Sequence, residues 1–167
     1  MASGGVSPEI SAETRYGKLR DLTFHYGPGA ELTTPALGRF YKRNGHKGKI
    51  QPDDRCFWLS DAEGNIIAAA RISEYPEQGY ALLRGVWVDK NLRGNGLGKQ
   101  LMTSVLTLHS GSPQGLYCLS YSASRDFYTG LGFTRCTQDE CPEPLYRRWR
   151  NYHQRGNPTH LMQLRQR

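Results

Sequence analysis

Apolar and polar positions along this chain follow two different periods. Cys56-Phe57-Trp58-Leu59 is a short apolar run, Asp61-Ala62-Glu63-Gly64-Asn65 has turn chemistry, and Ile66 to Ile72 is β-prone again, which predicts a hairpin. A second turn, Tyr75-Pro76-Glu77-Gln78-Gly79, leads into Tyr80 to Val88 and completes an antiparallel meander of three strands. Gly85, inside the third strand, predicts a bulge or a close backbone approach. From Leu97 the period lengthens: Leu97, Leu101, Val105 and Leu108 share one face of a helix. Leu116 to Leu119 is a short strand. It follows a strand and a helix, so it is expected parallel to the Val86 strand through a right-handed crossover. Ser122 or Ser124 is placed to cap a second helix carrying Phe127, Tyr128 and Leu131. Gly130 and Gly132 end that helix, and Phe133 to Cys136 begins another strand.

The two ends are less periodic. Residues 1–12 read as a flexible leader and 13–167 as a single domain. Leu19 to Tyr26 is expected as the first strand, broken by Gly27-Pro28-Gly29. Thr33 to Arg43 reads as a short helix with Thr34 as cap, Pro35 in the first turn, and Leu37, Phe40 and Tyr41 on one face. Gly45 to Gly48 is a basic loop. Leu145 to Gln154, rich in arginine and aromatics, reads as a short helix or arm, and Thr159 to Leu164 as a last strand. The fold class is α+β with a mixed, mostly antiparallel sheet.

The junction of the third meander strand and the long helix carries candidate chemistry. It reads Val86-Trp87-Val88-Asp89-Lys90-Asn91-Leu92-Arg93-Gly94-Asn95-Gly96-Leu97-Gly98-Lys99: strand, turn, then three glycines on alternate positions at a helix start. A helix start has backbone N–H groups without internal partners and the positive end of the helix dipole. Glycines let the chain approach a ligand closely and adopt positive φ. The product is a site for phosphate or pyrophosphate, with Arg93 and Lys99 able to add charge. The spacing is not that of a Walker loop: Arg93 stands where the first glycine is needed, and Gln100 where Ser or Thr is needed. Nor is it a dinucleotide fingerprint, because counting from Gly94 the last glycine position holds Lys99. It does satisfy Arg-x-x-Gly-x-Gly, with Arg93, Gly96 and Gly98.

Charge adds to this picture. Lys plus Arg is 22 against 15 acidic residues, a net charge of +7, and a basic surface draws anions. The start of the chain shows no apolar signal segment, and no run is long enough to span a membrane. Cys56, Cys118, Cys136 and Cys141 therefore read as reduced thiols of a cytoplasmic protein. Cys136, Cys141, His153 and His160 match no standard zinc spacing, so no metal is expected.

Arg93-x-x-Gly96-x-Gly98 resembles the pyrophosphate loop of the GNAT superfamily, the acyl-CoA-dependent N-acetyltransferases. Phe127-Tyr128-Thr129-Gly130-Leu131-Gly132-Phe133 is similar to a second motif of that family, in the right order and the right strand–helix context. The resemblance covers about Cys56 to Cys136. It implies a sheet splayed at a parallel strand pair, with helices on both faces. It also implies acetyl-CoA as co-substrate: Val86, Trp87 and Val88 would hold the pantetheine amides like an added strand, and the amides of Gly94, Asn95, Gly96, Leu97, Gly98 and Lys99, with Arg93, would hold the pyrophosphate. The chain departs from the family pattern at Tyr121 and Ser124, where many members carry Asn and Ala. This removes the usual side-chain amide contact to the pantetheine arm and leaves the fold.

Acyl transfer to an amine requires a neutral amine, a stabilised oxyanion and a departing thiolate that is protonated. A backbone N–H near Gly85-Val86 suits the oxyanion. Tyr128 resembles the family tyrosine that protonates the sulfur, and Glu74 is the candidate base; Asp89 reads equally as a turn residue. Arg71 and Arg84 suit an acidic substrate group if they face a cleft, and surface charge if they do not. Alternation puts Arg84, Val86 and Val88 on one face of the strand. Trp58, Trp87 and Trp149 read as core or cleft-wall aromatics. The expected acceptor is a primary amine of a small molecule or peptide; a homodimer is left open. Two other readings stand beside this one. The first is a non-catalytic acyl-CoA-binding sensor. The second, less favoured, is a nucleic-acid module built on Tyr146-Arg147-Arg148-Trp149-Arg150-Asn151-Tyr152-His153, where cations and aromatics alternate.

Overall fold

The computed structural model describes residues 10–14, 17–30, 34–110, 112 and 114–164. Their contacts form two compact units, one within 1–72 and 85–110, the other within 73–84 and 111–167.

The first unit contains β1 (Ile10–Thr14), β2 (Gly17–Pro28), α1 (Thr34–Arg43), β3 (Arg55–Ser60), most of β4 (Ile66–Tyr75), the end of β5 (Tyr80–Val88) and α2 (Leu97–His109). Its strands follow the order β1-β2-β3-β4-β5, and β1, β2, β3 and β4 pair antiparallel in sequence. β3 is buried on both faces for a legible reason. Cys56 and Trp58 pack with Leu37, Phe40 and Tyr41 of α1. Phe57 and Leu59 on the other face are equally buried. Arg55, on that second face, reaches His109 at the end of α2 (Nη1 to Nδ1, 3.4 Å). The two helices thus cover opposite faces of β3, as expected for an apolar strand without alternation.

The second unit holds the end of β4, the start of β5, β6 (Gly115–Tyr121), α3 (Arg125–Gly130), β7 (Phe133–Arg135), α4 (Glu143–Gln154) and β8 (Thr159–Leu164), with strand order β4-β5-β6-β8-β7. β6 runs parallel to β5, Tyr80 opposite Gly115 through Leu83 opposite Cys118; β8 is antiparallel to both β6 and β7. Tyr80, Leu82, Tyr117 and Leu161 form an apolar cluster under Leu145, Tyr146 and Trp149 of α4. The mixed, mostly antiparallel sheet with one parallel pair is the expected fold class.

Several details differ from expectation. Ile10 to Ala12, read as leader, belong to β1; residues 1–9 lie outside the described residues, as do Thr33 and the capping side chain of Thr34. β2 continues through Gly27 and Pro28 because Pro28 pairs opposite Arg55, and the turn comes at Gly29, whose N–H donates to the Asp54 carbonyl at 2.7 Å. Leu108 is 41% exposed, while Met102 and His109 are buried. The buried series Leu97, Leu101 and Val105 continues at the same spacing to His109, and the last turn presents His109 to Arg55. Neither serine caps α3 with its side chain: Ser122 to Ser124 form a 3₁₀ turn, and Ser122 Oγ is hydrogen-bonded to His160 Nε2 at 2.9 Å.

No helix among the described residues is long and apolar enough to cross a membrane. All four cysteines are free. Burial pushes the Cys56 thiol up to about 12.

The placement of α2 gives a paired test. Leu101→Ala should cost about 2–5 kcal/mol by urea unfolding, as buried leucines do. Leu108→Ala should stay within about 0.5 kcal/mol, as an exposed position does.

Candidate functional site

Within the first unit, β5 hands over to α2 through a glycine turn of defined geometry. Gly94 and Gly96 have φ of 83° and 77°, the left-handed region where a Cβ is strained. Gly96 is the N-cap of α2. It has no side-chain cap, and the first turn carries no acidic residue. Gln100 N–H closes the first helical bond onto the Gly96 carbonyl at 3.0 Å. The amides of Gly96, Leu97, Gly98 and Lys99 precede that bond and have no helical acceptor. Arg93 and Lys99 are exposed beside them. Asn95 is buried, and its Nδ2 donates to the Leu92 carbonyl at 2.9 Å, so this side chain braces the turn. Arg93 folds back: its Nε donates to the Val88 carbonyl at 3.2 Å and its guanidinium lies 5.8 Å from the centre of the Trp87 ring.

The end of β5 is locked onto α1 and the loop after it. Trp87 Nε1 donates to the Asn44 carbonyl (3.1 Å), Asn44 Oδ1 accepts from Lys90 N–H (2.8 Å), and Asp89 N–H donates to the Ile67 carbonyl (2.8 Å). Gly85 has φ 58° within the strand, so the expected bulge is a real kink, and the regular alternation expected through Arg84 to Val88 is interrupted there.

Arg71 does not serve a substrate. It is 2% exposed, and Nη1 contacts Asp54 Oδ2 at 2.9 Å and donates to the Lys49 carbonyl at 2.8 Å. A guanidinium that deep must be paired, and its internal carboxylate is equally buried. Neither Asp54 nor Tyr41, whose hydroxyl donates to the Gly85 carbonyl at 2.7 Å, carries a sequence signal for this role. The partners of Gly85 lie far away in the chain, and only the glycine itself hints that something occupies the space of its missing side chain.

The second unit holds Glu74 and Tyr128. Glu74 is exposed near the end of β4. Tyr128 is half-buried on α3, its ring edge-on to Phe127 (5.1 Å) and Phe133 (5.8 Å). Tyr121, at the position where many family members carry Asn, is 49% exposed and shares a hydrogen bond with the hydroxyl of Tyr152 at 3.0 Å. That bond, and then burial, raise the Tyr152 phenol above its usual range, while the cation of Arg84 opposes them. The basic aromatic segment proposed for nucleic acid is α4. Tyr146 and Trp149 pack into the apolar cluster, Trp149 Nε1 donates to the Thr159 carbonyl, and Arg148 lies over the Tyr75 ring. Rings used this way are not offered for base stacking. Among the described residues, no group of three or more His, Cys, Asp or Glu side chains is arranged to hold a metal ion.

In chain order the site reads strand, left-handed glycine turn, helix without a side-chain cap, parallel strand and tyrosine-bearing helix. Residues 53–135 match the family model described as an acetyltransferase (GNAT) domain, which identifies that stretch with the GNAT superfamily. No curated protein is a significant match in sequence. Among solved structures, the catalytic domain of Tetrahymena GCN5 histone acetyltransferase in complex with coenzyme A is similar with a TM-score of 0.65 and 16% identity, over 87% of this chain and 93% of that one. Escherichia coli ElaA is similar with a TM-score of 0.59 and 18% identity, over 85% and 97%. N-acetylglutamate synthase from Neisseria gonorrhoeae, complexed with coenzyme A and N-acetyl-glutamate, is similar with a TM-score of 0.63 and 17% identity; 85% of this chain spans 35% of that protein. The shared feature is the acyl-CoA N-acyltransferase fold.

The buried pair supplies a test of its own. Asp54→Ala should lower unfolding stability by about 3–5 kcal/mol, because it leaves the Arg71 charge buried and uncompensated. Guanidinium or urea titration measures it, and a change under about 1 kcal/mol would mean the pair is solvated.

Proposed function

We propose that this chain moves an acetyl group from acetyl-CoA to a primary amine of a small molecule or peptide by direct transfer. The observation that carries this reading is the start of α2, within the stretch that matches the GNAT family. Left-handed glycines open it, no side chain caps it, no acid repels an anion there, and Arg93 and Lys99 stand exposed beside it. Main-chain amides from Gly94 to Lys99 would take the pyrophosphate, as helix N-termini do. Val86, Trp87 and Val88 would hold the pantetheine amides as an added strand.

The chemistry divides among few groups. The amine attacks the thioester carbonyl as a neutral nucleophile, and Glu74, directly or through water, takes its proton. A backbone N–H at the Gly85-Val86 kink stabilises the oxyanion. The tetrahedral intermediate collapses with loss of the coenzyme A sulfur, to which the Tyr128 hydroxyl gives a proton. A non-catalytic acyl-CoA sensor would need no acid at Tyr128.

The similar structures act on unlike acceptors, a histone acetyltransferase and an N-acetylglutamate synthase among them, so they do not select the amine. The chain's charge of +7 opposes a polycationic acceptor and favours a small or acidic amine. Four free cysteines suit the reducing cytoplasm.

Three experiments test the proposal. Acetyl-CoA incubated with a panel of amines should release free thiol only in the presence of an acceptor; binding without release across the panel would favour the sensor. Tyr128→Phe should lower kcat by about 10-fold or more, since a positioned acid contributes about 10²–10⁴-fold. Glu74→Gln should remove the acidic limb of the pH–rate profile. Unchanged kcat in the first variant, or an unchanged profile in the second, removes that residue's role.

A further inference from the structure

Gly85 sits in a strand with a backbone that other residues avoid, and the space of its missing side chain is filled. A Cβ there would lie 3.0 Å from Tyr41 Oη and 3.1 Å from both Nε and Nη2 of Arg71. The Tyr41 hydroxyl donates to the Gly85 carbonyl at 2.7 Å. The peptide that carries this carbonyl also carries the Val86 N–H. In a planar trans peptide the two point in opposite directions. A hydroxyl on α1 therefore sets the direction of an amide on β5.

Tyr41 is itself held. It is 2% exposed, and the Arg71 guanidinium lies 5.4 Å from its ring centre. Arg71 is fixed by Asp54 Oδ2 and the Lys49 carbonyl, and Asp54 Oδ2 also accepts from Gln51 N–H at 2.9 Å. The chain of contacts runs from the 49–54 loop through Asp54, Arg71 and Tyr41 to one peptide of β5. Burial keeps the Tyr41 phenol well above its usual range, so it remains a donor throughout neutral and mildly alkaline pH.

We propose that Tyr41, held by the Asp54–Arg71 pair, is a positioning residue that aims the Val86 N–H at the thioester oxygen. This rests on the acetyl-transfer reading above and deepens it. A donor stabilises an oxyanion only if it is already oriented when charge develops, and a peptide released from Tyr41 would have to reorient during the reaction.

The test is Tyr41→Phe, which removes one oxygen and keeps the ring. Acetyl-CoA affinity by calorimetry should stay within about twofold while kcat falls about 10-fold or more, because one oxyanion donor contributes about 10²–10³-fold when aimed. In ¹⁵N-valine-labelled protein, the Val86 amide resonance should move when acetyl-CoA replaces coenzyme A, and move less in Tyr41→Phe. A merely structural Tyr41 would leave that difference intact. If Tyr41→Phe does not fold, Arg71→Lys, which keeps the charge and loses the planar group beside Tyr41, should show the same split. Wild-type kcat, or an unaltered Val86 response, in a folded variant overturns the proposal alone. Wild-type protein that binds acetyl-CoA but acetylates no amine overturns the acetyl-transfer reading instead, and the Val86 comparison still decides the role of Tyr41.

Discussion

A helix that begins on bare backbone is the constraint from which the rest follows. The first amides of α2 are donors with no acceptor of their own, and most helices answer that need with a Ser, Thr, Asp or Asn. Here the N-cap is a left-handed glycine, and three glycines are spent within a few residues. Of the three only Gly98 lies inside the helix, where glycine costs about 1 kcal/mol relative to Ala; Gly96 as N-cap costs a few tenths. What the glycines leave is a helix start whose amides are open to an anion. The core on either side of β3 keeps α2 in register, and the braces at Asn95, Asn44 and Asp89 keep the turn from closing over its own amides.

The same logic governs β5. Its backbone departs from regular β geometry at one residue, and two buried polar groups take the place of that residue's side chain. Local strain of this kind persists only where surrounding structure over-determines it. The Asp54–Arg71 pair and Tyr41 supply that structure from segments distant in sequence.

Much of this was legible beforehand. The strands from Cys56 to Val88, the helix from Leu97, the parallel β6 and the last strand all follow from period and turn chemistry, because each is a local signal. The glycine turn into α2 was also legible, since glycines on alternate positions before a helical period mark a turn and a helix start. What escaped depends on partners. Arg71 reads as either a cleft residue or surface charge until Asp54 is found beside it. Tyr146 and Trp149 lie in the segment whose less-favoured reading is base stacking; on α4 both are half-buried against the Tyr80–Leu161 cluster. Ser122 reads as a cap until His160, on a strand near the end of the chain, takes its hydroxyl. Leu108 shares the azimuth of Leu97 and is exposed, while the four-residue series Leu97, Leu101, Val105 and His109 stays buried, so sharing a face predicts burial only where a partner covers it.

A crystal structure with coenzyme A bound would test the central claim most directly. The account predicts pyrophosphate oxygens about 3 Å from the main-chain nitrogens at the start of α2, the ordinary hydrogen-bond distance. Coenzyme A bound elsewhere on the chain, with those amides facing only water, would contradict it.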